Sequence, residues 1–148
     1  MRTDQFSRLL LAVYLVALAV LLFVPSGRAM ELGDRLNLEP LATIDRAIDL
    51  GPRSVSFRLL LANIAAFIPL GVLLPLAFPS TARLAPVVVG ALLLSSAVEV
   101  GQLVMSVNLG YAYRSTDVDD VILNVSGAVI GYVGLATTRV FGRLQPSR

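Results

Sequence analysis

Four long apolar runs, separated by shorter charged stretches, constrain this chain more than any other feature. Leu9–Val24 holds sixteen apolar residues between Arg8 and Pro25. Leu59–Phe78, Leu84–Met105 and Val121–Val140 follow, each close to the ~20 residues a helix needs to cross a bilayer. Inside hydrocarbon every backbone N–H and C=O must find a partner within the segment, so such runs fold as helices. The expected fold is all-α: a polytopic membrane protein with four transmembrane helices over about residues 9–25, 59–78, 84–105 and 121–140, in a single domain of residues 1–148. Charge content agrees, since 15% of the residues are charged where a soluble domain carries about a quarter.

Details of the runs refine this picture. Arg2 and Arg8 ahead of the first run, with Gly27 and Ala29 after it, resemble a signal peptide. The run exceeds an h-region of roughly 7–15 residues, however, and reads as a retained span. Pro69 and Pro75 interrupt the second run and predict one kinked helix, because proline is accommodated in membrane helices when neighbours re-satisfy the freed carbonyls. Pro79–Arg83 is a tight turn that makes spans two and three antiparallel. Asn108 and Gly110 predict a loop from Ser106 onward, with Tyr111 and Tyr113 as interfacial aromatics. Thr116 or Asp117 is placed to cap the fourth helix. In the longest polar segment, Ser26–Arg58, Leu41, Ile44 and Ile48 recur at i, i+3, i+7 opposite Asp45, Arg46 and Asp49, the spacing of a short helix lying in the membrane interface. Arg2, Arg8, Arg139 and Arg143 flank the spans and predict that both termini are cytoplasmic.

Composition also excludes chemistry. With no cysteine and no histidine, the chain has no disulfide, no thiol nucleophile, no Ser–His–Asp triad and no His- or Cys-based zinc site. A net charge of +2 and the absence of a basic run argue against nucleic acid as a partner.

The polar residues that remain converge. Arg114–Asn124, RSTDVDDVILN, places an arginine, three carboxylates and an amide just ahead of the last span. Asn63 lies near the start of span two, Glu99 and Gln102 near the end of span three, and Asn124 near the start of span four. Alternating helix directions bring all four to the same half of the bilayer, with Arg114, Asp117, Asp119 and Asp120 just outside it. Cytoplasmic termini make that half the outer leaflet. Helical phase agrees with depth: Asp120, Asn124, Gly127 and Gly131 share one stripe, and Glu99, Gln102 and Ser95 lie on one side of their helix. Gly127-x-x-x-Gly131 is the small-residue spacing that lets membrane helices approach closely.

Several spaced motifs occur in order: Asn37-Leu38-x-Pro40-x-x-Thr43-Ile44, Asn63-x-x-x-Phe67-x-Pro69-x-Gly71, Glu99-x-x-Gln102, and Arg114-x-x-Asp117-x-Asp119-Asp120-x-x-x-Asn124-x-x-Gly127-x-x-x-Gly131-Tyr132. Together they resemble the VanZ-like family of small bacterial membrane proteins. One departure is Leu41, where the family commonly has an aromatic residue after the proline. The resemblance implies a multi-pass protein of the bacterial cytoplasmic membrane, in a family whose founding member is associated with low-level teicoplanin resistance. It does not imply a reaction.

Three functional readings follow from the residues. In the first, the site binds an amphiphile with an anionic head, such as a phospholipid or a lipid-linked cell-wall precursor. Arg114 pairs with its phosphate or carboxylate, and Asn63, Gln102, Asp117 and Asn124 complete the binding set. In the second, the chain is an intramembrane enzyme acting on such a lipid, with desolvated Glu99 as acid or base and Asp120 assisting. Asp117, Asp119 and Asp120 are then candidate oxygen ligands for a divalent cation, Mg²⁺, Mn²⁺ or Ca²⁺. In the third, the polar residues are interhelical glue in a structural or accessory subunit, and the acidic run caps a helix.

Overall fold

The structure is a computed structural model that describes residues 3–23, 36–110 and 116–144. Among these residues there are five α-helices: α1 (Thr3–Phe23), α2 (Ala42–Leu50), α3 (Val55–Ala77), α4 (Leu84–Leu109) and α5 (Val118–Leu144). Helices α1, α3, α4 and α5 are long and apolar enough to cross a membrane, and α2 is the short helix in the loop after the first span. The four-helix expectation therefore holds. Two loop segments that look unrelated in sequence also meet: β1 (Leu36–Asn37) pairs in parallel with β2 (Thr116–Asp117), Asn37 lying opposite Asp117. Gly27 and Ala29, the loop tyrosines and Arg114 lie outside the described residues.

Helix ends depart from the ends of the apolar runs because capping groups carry the helices past them. Ser54 accepts the N–H of Phe57 and starts α3 a turn ahead of its apolar run. Helix α4 continues to Leu109, where Gly110 adopts φ 72 and ends it. Ser106, expected in a loop, is thus helical and fully buried. Both prolines of α3 lie inside one continuous helix. Beside Pro69, the Tyr14 hydroxyl of α1 donates to the Ala66 carbonyl at 2.8 Å.

Glycine decides which helices form the centre. A Cβ on Gly127 would stand 2.0 Å from the Ile64 carbonyl oxygen, and one on Gly131 would stand 2.1 Å from that of Ile68. From the other side, a Cβ on Gly71 would stand 1.9 Å from the Ala128 carbonyl oxygen. Helices α3 and α5 therefore run parallel with their backbones in contact, a geometry only missing side chains permit. Phe67, Leu70 and Ala128 are buried along this seam. Helix α4 lies antiparallel to α5. Helix α1 lies antiparallel to α3, with the Arg8 guanidinium donating to the Ala77 carbonyl at 3.1 Å and lying 5.3 Å from the centre of the Phe78 ring. That contact closes one end of the bundle, and the polar residues gather at the other. Outward faces carry exposed Val13, Val16, Leu93 and Val133, as hydrocarbon solvent allows.

Candidate functional site

The acidic run at the start of α5 ties four helices together. Asp117 is the N-cap of α5, its Oδ1 accepting the N–H of Asp119 at 2.9 Å. Asp119 is fully buried and reaches a different helix. Its Oδ1 accepts the N–H of Leu41 at 2.6 Å, and its Oδ2 accepts those of Thr43 at 2.8 Å and Ile44 at 3.2 Å. These are donors that the first turn of α2 cannot satisfy internally, and the helix dipole there favours an anion. Asp120 reaches α3, where its carboxylate accepts from the Asn63 amide. Glu99 of α4 closes the set by accepting the N–H of Asp117 at 3.0 Å.

Asn37 and Thr43 complete this latch. The Thr43 hydroxyl donates to Asp117 Oδ2 at 2.5 Å, while the Asn37 amide donates to Thr43 Oγ1 at 3.0 Å and to Asp117 Oδ1 at 3.2 Å. Asn37 also accepts the N–H of Glu39, forming the turn that leads into α2. Leu41, the N-cap of α2, has φ 71, a conformation that costs a non-glycine residue about 1 kcal/mol or more. Its N–H bond to Asp119 helps hold it there.

Held in this way, α2 lies across the polar end of the bundle. Ala47 is fully buried beneath it, whereas Ile48 is 56% exposed beside Leu41 and Leu50. The predicted apolar stripe is thus divided. Ile44 is half-buried, and Ile48 remains exposed.

Deeper in, the groups are neutral. The Asn124 amide donates to Ser95 Oγ at 2.9 Å across α5 and α4. Its Oδ1, on a side chain 3% exposed, has no partner among the described residues, and neither has the buried Thr116 hydroxyl. Reversing the Asn124 amide leaves its nitrogen unfilled instead, so one end of this group stays unpaired among the described residues in either assignment. Gln102 and Ser106 are buried on the same side of α4, and both have partners, as do Glu99 and Asp120.

This geometry suits a divalent cation poorly. A hard cation needs several free oxygen ligands converging on one point. Both oxygens of Asp117 and of Asp119 already accept N–H or O–H groups, and among the described residues no three acidic side chains form a group that could hold a metal ion. Charge–dipole capping is what these carboxylates do.

The VanZ/LLP1 family model matches residues 11–139, from within α1 to within α5, and so includes α2, α3, α4 and the latch. The chain belongs to the VanZ/LLP1 family. None of the curated proteins and none of the solved structures matches it.

The spaced VanZ/LLP1 motifs are parts of one construction. Asn37 and Thr43 of the first bind Asp117 of the last, and Asn63 of the second binds Asp120. Glu99 of the third holds the Asp117 N–H, while Gly71, Gly127 and Gly131 set the α3–α5 contact. Of the residues expected at the site, Asn63 meets Asp120 and Glu99 meets Asp117, while Asn124 lies further along α5 against Ser95 of α4. The roles of Asn37, Thr43, Ser106 and Thr116 were not legible as site roles. The Asn37-x-x-Pro40-x-x-Thr43 spacing carries a turn signal, but their partner lies 74 to 80 residues away.

Proposed function

We propose that this VanZ/LLP1 protein binds the polar head of a phosphate-bearing membrane lipid, a phospholipid or a lipid-linked cell-wall precursor, at the polar end of the bundle. The observation that carries this reading is the pair of buried atoms without partners among the described residues, Asn124 Oδ1 and Thr116 Oγ1. A buried polar group left unfilled costs about 1–3 kcal/mol, and a head group bearing hydroxyls or amides supplies the missing partner. Asp117 and Asp119 already hold α2 and are framework in this reading. The phosphate falls to Arg114, whose planar guanidinium is suited to it. Exposed Ile48, Leu41 and Leu50 keep α2 at the headgroup level above the site.

With cytoplasmic termini, the site faces the outer leaflet of the bacterial cytoplasmic membrane, where a glycopeptide meets its target. Altered teicoplanin sensitivity is then a consequence of holding such a lipid. The test is mass spectrometry of lipids that remain with the full chain after extraction in mild detergent. A defined phosphate-bearing lipid retained by the wild type, and about ten-fold less by Asn124→Leu at equal folded yield, supports the reading. Equal retention by both proteins rejects it.

A further inference from the structure

We infer that the apolar groove between α1 and α4 holds one acyl chain of the lipid whose head occupies the polar end, an assignment that rests on the head-group reading above. The groove measures about 290 Å³ and is lined by Leu15, Ala19 and Phe23 of α1 and by Leu94, Ala97 and Val98 of α4. Its walls are hydrocarbon, so water gains no hydrogen bonds there, and an empty slot of this size forfeits dispersion contacts along its whole lining. The surrounding solvent is itself made of hydrocarbon chains.

Position makes the occupant specific. The groove ends where Phe23 closes over Gly101, at which a Cβ would stand 3.0 Å from the Phe23 ring. The next residue, Gln102, belongs to the polar end. Around α4, Leu94, Ala97, Val98 and Gly101 form one sector, while Ser95, Glu99 and Gln102 form the adjoining one. A single molecule can therefore place its chain in the first sector and its head in the second without leaving the helix. Helix α1 is fixed to α3 by Tyr14 and Arg8, which leaves its α4-facing side open. Alanines in both walls, Ala19 and Ala97, leave room for a chain between the helices. The chain assigned to it is an unbranched acyl chain, and the methyl-branched prenyl chain is the alternative that the labelling distinguishes.

The experiment reconstitutes the full chain in phosphatidylcholine vesicles containing phosphatidylglycerol with a diazirine in its acyl chain, followed by photolysis and peptide mapping. The expected result is at least five-fold more labelling at Ala19 and Ala97 than at Val133, which is exposed on α5. Ala97→Trp and, independently, Ala19→Trp should fill the slot. Each should cut groove labelling and detergent-stable lipid retention about five-fold while thermal unfolding shows the bundle intact. Labelling no stronger than at Val133, or tryptophan variants that keep both label and lipid, overturns the inference. Preferential labelling of the groove by a diazirine polyprenyl phosphate overturns the acyl assignment. If Asn124→Leu loses the lipid and the tryptophan variants keep it, the groove inference alone falls. If the tryptophan variants lose it and Asn124→Leu keeps it, the head-group reading falls and the link between groove and polar end falls with it.

Discussion

Asp119 shows what a single residue contributes here. A fully buried carboxylate is costly unless hydrogen bonds and opposite charge compensate it, and Asp119 takes three backbone N–H groups at a helix N-terminus. Asparagine keeps the shape but offers one acceptor, and turns an NH₂ group toward N–H donors. Asp119→Asn is expected to destabilise the protein by about 2–4 kcal/mol, measured by thermal unfolding in detergent. Asp45→Asn, on the exposed side of α2, should change it by less than about 0.5 kcal/mol. Read from sequence, three carboxylates in four residues exceed the needs of one helix cap. The resolution is that they serve three helices: Asp117 caps α5, Asp119 caps α2 and Asp120 holds α3. Such a division is invisible along the chain, because the donors sit in segments that only folding brings near.

Among elements, the α3–α5 pair governs assembly. Gly127→Ala sets a methyl group against the Ile64 backbone, where no side chain can move aside. The expected cost is about 3 kcal/mol or more, read as loss of a monodisperse folded species or as a lowered unfolding temperature. Gly134→Ala has open space and should be neutral or slightly stabilising. Much of this level was legible in sequence. Alternating helix directions and a 100° phase were enough to bring Asn63, Glu99 and Asp120 to one end and to turn Gly127 and Gly131 inward. The true helix ends and the β1–β2 pairing were not. Apolar-run length measures the stretch that hydrocarbon demands, whereas Ser54 starts α3 ahead of its run and α4 continues past its run until Gly110 ends it. Two-residue strands leave no periodicity to read.

For the molecule as a whole, the latch and the deeper neutral groups divide the work. The latch fixes α2 across the polar end, and in the proposed reading Asn124 and Thr116 beneath it receive the ligand. Orientation is open to a direct check, because the chain has no cysteine. Asp49→Cys on α2 should react with a membrane-impermeant maleimide in intact spheroplasts, and Ser80→Cys in the short turn should react only after lysis. The central claim, that the acidic run builds the site and the neutral groups within it hold the lipid, is tested most directly by measuring unfolding temperature and retained lipid side by side. Asp119→Asn should lower the unfolding temperature while its folded fraction still carries lipid, and Asn124→Leu should keep the unfolding temperature within a few degrees and lose the lipid. A stable Asp119→Asn protein that has lost its lipid, together with an Asn124→Leu protein that retains it, would contradict the account.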